Sequence, residues 1–198
     1  MWIDLTKTIT NNQDTYGDDP TTNLKQVKNV DADGYSLYQL SMGMHTGTHL
    51  DGPRHMLHNG PMIDEISLKQ LMGKASLIDA REDQVVTDQH KDIHLIHKGD
   101  IVLVFGGNKK TVIDESFARV LIKKQIKVLG IDFASPDEPP FPIHKLLFSS
   151  EILILEHLCH LNKLLGGDQI EIIIAPLKVH IDSSPVRVFA NIKEARVI

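Results

Sequence analysis

The sequence predicts a mixed α/β fold that contains more strand than a doubly wound sheet would have. Short apolar runs bounded by turn residues occur near both ends of the chain, and helical patterns lie irregularly between them. Of the 198 residues, 41% are hydrophobic and 24% are charged, which is ordinary for a folded globular protein. We therefore expect a single domain over residues 1–198 with a sizeable buried core.

The N-terminal part of the chain is predicted to be irregular at first and then to form a strand. Residues 10–34 are polar and typical of a long loop or arm that is ordered by contact with a site or a partner subunit. Residues 35–44 carry β-prone aromatic side chains in partial alternation, which predicts a strand. Residues 67–70 fit a capping box, which predicts a short helix that Gly73 ends.

The rest of the chain predicts strands and helices in irregular alternation. Short apolar runs indicate buried strands, and an apolar face with helical spacing indicates a helix. Prolines at residues 136–142 predict a rigid loop before the second helix. The predicted strands are residues 75–79, 101–105, 126–131, 152–155, 170–175 and 186–190, and the predicted helices are residues 114–124 and 142–149.

Charge and cysteine content argue against several classes of protein. The formal net charge is −5 and the basic residues are scattered, so no face for a nucleic acid is predicted. No apolar stretch approaches the roughly 20 residues that span a bilayer, and the N-terminus lacks the layout of a signal peptide. A single cysteine, Cys159, permits no intrachain disulfide, which is typical of a reducing compartment. We expect a cytoplasmic protein without nucleic-acid or membrane partners.

The segment with candidate chemistry is HTGTHLDGPRH at residues 45–55. It places His45, His49, Asp51 and His55 within eleven residues, and imidazole and carboxylate groups are ligands that Zn²⁺ and Mn²⁺ favour. The glycines and Pro53 favour a tight loop or strand exit, which can turn these side chains toward one point. Two histidines and one carboxylate with an open position are typical of a catalytic metal site rather than a structural one.

The residues alone leave other interpretations of the histidines open. Two histidines four residues apart also arise by chance, as surface groups or as core residues with satisfied hydrogen bonds. A second group, His90, His94 and His97, has helical spacing, but its charged neighbours favour a solvated helical face. The chain has no GxSxG nucleophile elbow, phosphate loop or GxGxxG fingerprint, so no serine-hydrolase or nucleotide-binding motif competes with the metal interpretation.

The segment at residues 45–55 resembles the H-x-G-T-H-x-D-x-P-x-H signature of the cyclase family of metal-dependent hydrolases. This family includes bacterial kynurenine formamidase and the manganese-dependent isatin hydrolases. The resemblance continues through most of the chain, although Ser183 stands where the family usually has glycine. The other matching blocks are DLT at residues 4–6, GD at 17–18, GID at 130–132, FPIH at 141–144, ILEHL at 154–158 and the block that runs from Asp182 through Pro185 to Arg187.

The resemblance implies a fold, a set of metal ligands and an assembly. The implied fold is a swivelling β/β/α domain, and the implied assembly is a homo-oligomer, either a dimer or a tetramer. His45, His49 and Asp51 match the first group of ligands, and Asp51 can bridge two metals. His144 and Glu156 match the remaining ligands of the second metal, which spacing alone would not have identified. The implied cofactor is Zn²⁺, one or two per subunit, with Mn²⁺ as the alternative.

The resemblance also implies the hydrolysis of an amide-type C–N bond in a small-molecule substrate, a formamide such as N-formylkynurenine or a cyclic amide. A metal held by imidazoles and carboxylates lowers the pKa of its water toward about 7, so hydroxide is available to attack the carbonyl. His55 matches the catalytic histidine that moves protons, although it could instead be an additional ligand. Tyr16, Phe133 and Phe141 are candidate aromatic walls of the substrate pocket.

Two other functions remain open at this stage. A metal-dependent cyclase or dehydratase would use the same ligands, but its reaction would release water instead of consuming it. A non-enzymatic metal-binding protein would also keep the ligands. The presence of His55 argues against that second alternative, because a site that only holds a metal has no use for a proton-carrying histidine beside it.

Overall fold

A computed structural model describes residues 1–13, 15–107, 109–167 and 169–193. It confirms a strand-rich mixed α/β fold, whose main sheet has eight strands within the described residues. The strands are β1 (Trp2–Asp4), β2 (Asn23–Lys28), β3 (Leu37–Ser41), β4 (His49–Asp51), β5 (Met72–Asp79), β6 (Val85–Val86), β7 (Ile101–Phe105), β8 (Val112–Ile113), β9 (Val128–Ile131), β10 (Leu153–Glu156), β11 (Gln169–Pro176) and β12 (Ser183–Lys193). The α-helices are α1 (Val30–Asp33), α2 (Glu115–Lys123) and α3 (Pro142–Phe148).

The main sheet closes on itself like a barrel. From β12 the hydrogen-bonded order runs through β11, β5, β7, β9 and β10 to β4, and β4 pairs again with β12. The neighbours β5, β7, β9 and β10 are parallel, whereas the pairings that involve β4, β11 and β12 are antiparallel. Because β12 is 11 residues long, one of its edges accommodates both β4 and β1.

Apolar side chains cover both faces of the sheet, which explains why its strands are continuous apolar runs rather than alternating ones. In β7, Leu103 packs in the cluster that the strands share, while Val102 and Val104 pack in the cluster that α2 and α3 cover. The fit is tight at Gly130 in β9, where a Cβ would lie 2.6 Å from Leu103 Cδ2. A larger residue at this position would displace the Leu103 side chain, which lies over the glycine.

The two helices predicted in the second half of the chain are confirmed, and their ends follow from local hydrogen bonds. The side chain of Asp114 accepts a hydrogen bond from the backbone N–H of Ser116 and caps α2. α3 begins at Pro142, whose missing N–H costs nothing in the first turn. The Asp137 carboxylate accepts a hydrogen bond from the backbone N–H of Ile143 at 2.6 Å, which anchors the start of α3. Among the residues described, no helix is both long and apolar enough to cross a membrane.

The predicted irregular arm over residues 10–34 is wrong in part, because β2 and α1 lie within it. β2 pairs with β3 in a two-stranded sheet of its own, and α1 connects the two strands. All five residues of β3 are exposed. We call residues 23–41 the hairpin arm. Its large exposed hydrophobic side chains are Val27, Val30, Tyr35, Leu37, Tyr38 and Leu40.

The predicted helix at residues 67–70 is also wrong. These residues form a single turn, in which the N–H of Gln70 bonds to the carbonyl of Ser67. β5 begins at Met72 and includes Gly73, the residue expected to end the helix. Because the capping pattern is followed by a strand rather than by an apolar face with helical spacing, nothing extends the turn into a helix.

Candidate metal centre

The strand β4 presents two of the predicted ligands on one face. Side chains alternate along a strand, so His49 and Asp51 share a face while Leu50 packs into the apolar core on the other. β4 is paired on both edges, with His49 opposite Glu156 of β10 and Asp51 opposite Ser183 of β12. The strand register therefore brings Glu156, which is distant along the chain, directly beside the motif.

The turn before β4 determines which nitrogen of His49 faces the centre. Gly47 has a φ of +67°, a left-handed conformation that favours glycine. Its carbonyl lies 2.9 Å from Nδ1 of His49, which is the distance of a hydrogen bond that Nδ1–H donates. When this imidazole is neutral, its Nε2 lone pair consequently faces the carboxylates of Asp51 and Glu156.

His49, Asp51 and Glu156 form a buried triad. Nε2 of His49 lies 3.4 Å from Oδ1 of Asp51 and 3.3 Å from Oε2 of Glu156. One ligand atom from each residue lies within 4.8 Å of the other two. All three residues are buried, so their polar atoms have little access to solvent.

Three polar atoms of this triad lie within 3.5 Å of an ion-pair partner in the centre but make no hydrogen bond of good geometry. They are Nε2 of His49, Oδ1 of Asp51 and Oε1 of Glu156, all of them buried. A buried polar atom without a well-formed hydrogen bond costs about 1–3 kcal/mol, so a protein rarely keeps three of them together without a ligand. One imidazole nitrogen and two carboxylate oxygens form a donor set that suits Zn²⁺ or Mn²⁺. The residues present therefore fit a divalent cation.

A second triad shares Asp51 with the first. Nδ1 of His45 lies 2.9 Å from Oδ1 of Asp51, and His45, Asp51 and His55 each offer a ligand atom within 4.8 Å of the others. The side chain of His45 is 24% exposed, whereas that of Asp51 is 2% exposed. The centre is therefore deepest at the first triad and opens toward solvent at the second.

His144 reaches the centre from the first turn of α3. Its Nε2 lies 3.5 Å from Oε1 of Glu156, and its Nδ1 lies 2.5 Å from Oδ1 of Asp137. A carboxylate behind an imidazole fixes the orientation of the ring and raises its basicity as a ligand. Asp137 was not predicted as a site residue, although it lies in the loop directly before the predicted helix that carries His144. Asp137 thus holds both the helix and the imidazole that the helix carries.

His55 lies at the open side of the centre, in the turn Pro53–His55. Its ring centroid is 4.2 Å from that of His45. Nδ1 of His55 lies 3.1 Å from Oδ2 of Asp182, a residue directly before β12. The same oxygen lies 3.5 Å from Nε2 of His45. Asp182 was not predicted as a site residue, although it begins the last of the blocks that resemble the family.

The carboxylates change the pKa values of the histidines they surround. Burial lowers the pKa of His49, but Asp51 and Glu156 outweigh this effect and raise it to about 9. Burial likewise lowers the pKa of His144, while Asp137 and Glu156 raise it to about 9. Burial raises the pKa of Asp51, yet His49 and His45 hold it well below its usual range. Without a metal, the imidazoles therefore hold protons that a cation would displace.

His157 lies beside the centre but is turned away from it. Its ring centroid is 6.0 Å from that of His49, and its Nδ1 lies 3.3 Å from Nζ of Lys7. Burial and the nearby Lys7 ammonium lower the pKa of His157 to about 4, so its Nδ1 accepts a hydrogen bond from Lys7. His157 therefore acts as an uncharged packing residue behind His49.

The three predicted aromatic wall residues lie in different environments. The ring centroid of Phe141 is 5.6 Å from that of His144, in an edge-on arrangement. Phe133 is buried in the cluster beneath the helices, and its carbonyl accepts a hydrogen bond from the N–H of His157. Tyr16 is 55% exposed in the N-terminal segment that precedes the hairpin arm. Phe141 is thus the one of the three whose side chain directly contacts a predicted ligand.

The second histidine group does not converge on a point. It lies around the 3₁₀ turn Lys91–Leu95, where Nε2 of His90 is 3.2 Å from Asp83 and Nδ1 of His97 is 3.5 Å from Asp100. The side chain of His97 is 78% exposed, as expected for a solvated face, but that of His90 is only 4% exposed. Each of these two histidines contacts an acidic side chain of its own, so their positions are explained without a metal.

Comparison with protein families and with curated proteins gives one consistent result. A family model described as "Putative cyclase" matches residues 3–138. Over 200 residues the chain is 28% identical to a kynurenine formamidase of Bacillus cereus, and the match covers 94% of this chain and 95% of that protein. The similarity therefore extends over nearly the full length of both proteins.

Comparison with solved structures agrees with the family match. The chain is 30% identical to a structure described as a "potential metal-dependent hydrolase with cyclase activity", with a TM-score of 0.81, over 98% of this chain and 99% of that one. Isatin hydrolase A from Labrenzia aggregata superimposes with a TM-score of 0.85 at 24% identity, over 98% of this chain and 94% of that one. At that identity the second likeness shows the fold alone.

Proposed function

The chain belongs to the cyclase family, and from this premise we propose that it is a metal-dependent hydrolase that cleaves an amide-type C–N bond. The similarity to a kynurenine formamidase over almost the whole chain supports this reaction class. The observation that carries the proposal is the buried triad of His49, Asp51 and Glu156, in which three donor atoms lack hydrogen bonds of good geometry. Divalent cations that share Asp51 would satisfy all three atoms.

The proposed ligands fall into two groups that share Asp51. His45, His49 and Asp51 would hold the first cation, and Asp51, His144 and Glu156 would hold a second one. Oδ1 of Asp51 lies 2.9 Å from Nδ1 of His45 and 3.4 Å from Nε2 of His49, which supports its role in the first group. A ligand atom of Asp51 also lies within 4.8 Å of one of Glu156, which supports its role in the second group. Nitrogen and oxygen donors of this kind favour Zn²⁺, with Mn²⁺ as the alternative. Metal analysis of the purified protein would establish the identity and the number per subunit.

The proposed mechanism assigns proton transfer to His55. A divalent cation bound in the centre supplies a water of lowered pKa and a Lewis acid for the carbonyl oxygen of the substrate. His55 takes a proton from the attacking water and returns it to the leaving nitrogen, which departs as a neutral amine. The side chain of His55 is 28% exposed at the open side of the centre, so a substrate can reach it. The deeply buried His49 is not suited to this role because solvent and substrate do not reach it.

The proposed substrate is a small formamide, such as N-formylkynurenine, or a cyclic amide. Phe141 packs edge-on against His144 and would form one wall of the substrate pocket. Phe133, which is buried, and Tyr16, which is exposed, are the other two proposed wall residues. An aryl group next to the scissile bond would gain from stacking on such a wall.

The test is a substrate panel of formanilides, lactams and cyclic imides, assayed with added Zn²⁺ or Mn²⁺ and again after chelation. We expect metal-dependent release of formate or opening of the ring. The description of the family as cyclases supports a second candidate, a cyclase or dehydratase working with the same residues. Mass analysis of the products separates the two reactions. After hydrolysis the summed mass of the products exceeds that of the substrate by one water, whereas after cyclisation the product is lighter than the substrate by one water. Absence of metal-dependent turnover across the panel and its open-chain counterparts would contradict both.

We further propose that the single domain assembles as a homo-oligomer in the cytoplasm. The hairpin arm supports this assembly because it carries a row of exposed hydrophobic side chains, among them Leu37, Tyr38 and Leu40, that a second copy would cover. The lone Cys159 supports a reducing compartment. Light scattering of the full chain and of a Tyr38→Glu variant tests the assembly, since loss of the arm contact should lower the mass.

A further inference from the structure

We propose that Asp182 is a positioning residue that fixes which nitrogen of His55, and which nitrogen of His45, faces the metal side of the centre. Oδ2 of Asp182 lies 3.1 Å from Nδ1 of His55 and 3.5 Å from Nε2 of His45. One carboxylate oxygen thus contacts one histidine assigned to proton transfer and one assigned to the metal. This inference rests on the proposed function for the role of His55 in proton transfer, but its main test does not depend on turnover.

The contact with Asp182 determines which tautomer the neutral imidazole of His55 adopts. A carboxylate only accepts hydrogen bonds, so a neutral His55 must place its proton on Nδ1 to bond with Asp182. The proton-free nitrogen is then Nε2, on the opposite side of the ring. A histidine with Nε2 free can accept a proton from water, whereas the other tautomer would present an N–H there and could not.

The contact with His45 has the complementary effect. Nε2 of His45 faces Asp182, and Nδ1 of the same ring lies 2.9 Å from Oδ1 of Asp51. Asp51 is the closer carboxylate, so Asp182 draws the proton of His45 to Nε2 only when a cation at Asp51 takes the place of the proton on Nδ1. Asp182 therefore fixes the free nitrogen of His55 directly and that of His45 in the metal-loaded protein.

The position of Asp182 is itself well determined. Its carbonyl accepts a hydrogen bond from the N–H of Gly52 at 3.0 Å, which ties it to the end of β4. Its Oδ2 also accepts a hydrogen bond from the hydroxyl of Ser183 at 3.1 Å. Ser183 is completely buried and stands where the family usually has glycine. This chain therefore holds the Asp182 carboxylate with one donor that a glycine could not supply.

The test measures the protonated nitrogen directly. In protein labelled with ¹⁵N-histidine and supplied with Zn²⁺, long-range ¹H–¹⁵N correlation spectra show which nitrogen of each imidazole carries the proton, and a His55→Gln variant assigns the His55 signals. We expect His55 to be protonated on Nδ1 in the native chain and to lose this preference in Asp182→Asn, whose amide can also donate. An Nε2–H form in the native chain, or an unchanged spectrum in Asp182→Asn, would overturn the proposal.

A matched control exists in the same region of the chain. Nδ1 of His180 lies 3.0 Å from Oδ1 of Asp64, a histidine–aspartate pair of nearly the same geometry but outside the centre. Asp64→Asn should change the signals of His180 alone and leave turnover unaffected. Asp182→Glu keeps a carboxylate and should retain the Nδ1–H form of His55. If Asp182→Asn fails to fold, the native spectrum and the Asp182→Glu spectrum still decide the question.

Activity measurements separate positioning from ligation. We expect Asp182→Asn to lower kcat about 100-fold or more with KM within about threefold, because a correctly placed acid–base group contributes about 10²–10⁴-fold. At saturating Zn²⁺ the metal content should be unchanged, although the metal Kd should rise about 10–100-fold because His45 loses a carboxylate that orients it. Asp182→Glu should recover at least about tenfold of the loss in kcat. Failure of Asp182→Asn to bind metal even at saturating Zn²⁺ would make Asp182 a ligand and overturn the positioning role. If the native chain turns over no substrate of the panel, the proposed function fails while the spectra still test the tautomers.

Discussion

Asp51→Asn is the substitution that tests the centre most directly. Oδ1 of Asp51 belongs to both triads, so its replacement by a neutral amide of the same size weakens every proposed cation site without leaving a cavity. His49 would also lose one of the two carboxylates that hold its proton in the metal-free protein. We expect the variant to fold when metal is absent and to lose the stabilisation that metal provides.

The magnitude follows from mass action. At a free metal concentration 100 times its Kd, binding stabilises the native chain by about 2.7 kcal/mol. For a domain of this size, each kcal/mol shifts Tm by about 2–4 °C, which gives a shift of about 5–11 °C. If loss of the shared carboxylate raises Kd about 100-fold, the same metal concentration equals the new Kd and stabilises the variant by only about 0.4 kcal/mol. The expected metal-induced shift is then about 1–2 °C.

The assay is thermal unfolding of native and Asp51→Asn protein, each measured with a chelator and with Zn²⁺ or Mn²⁺, together with metal analysis after dialysis. Asp83→Asn is the control, because Asp83 lies 3.2 Å from Nε2 of the buried His90 and belongs to neither triad. The control should keep the full metal-induced shift. Equal shifts and equal metal content in native and Asp51→Asn protein would refute the assignment of Asp51 as a ligand.

Three further predictions concern the residues around Asp51. His55→Ala should keep its metal but lose about 100-fold or more of its turnover, and a drop in metal content would instead make His55 a ligand. Asp137→Asn should raise the metal Kd about 10–100-fold, because His144 loses the carboxylate that orients it; chelator competition measures this, and an unchanged Kd contradicts it. Because folding raises the pKa of His49 and His144 from 6.5 to about 9, their contribution to stability is complete below pH 6.5 and is lost as the pH rises through 9. Urea unfolding with a chelator should therefore show the metal-free protein losing stability over this range, while metal affinity rises over the same range; a flat stability profile would contradict the buried ion pairs.

The part of the centre that the sequence predicts is the part that is contiguous along the chain. His49 and Asp51 are two residues apart, and a strand of any context would place them on one face. Glu156 joins them only because β10 pairs with β4 in one particular register. This register depends on the packing of the whole barrel, so the local sequence around residue 156 does not predict it. The family resemblance supplied Glu156 and His144, whereas spacing could not.

The missed residues share a physical cause. Asp137 and Asp182 lie in connecting segments, where the direction of a side chain depends on loop geometry rather than on a periodic pattern. The strand β2 escaped prediction for a related reason. Its sequence, NLKQVK, is polar and mostly exposed, and it forms a strand because β3 pairs with it. Buried strands such as β7 were predictable because both of their faces must be apolar.

A very short strand closes the barrel. β4 is three residues long, and the same three residues form the rungs to β10 on one edge and to β12 on the other. Separation of this joint would carry His49 and Asp51 away from Glu156, so opening the wall and releasing the cation are a single event. A bound cation in turn holds β4 and β10 together, although they are far apart along the chain. The rate at which a chelator strips the protein should then report how often the joint opens, rather than how exposed the donor atoms are.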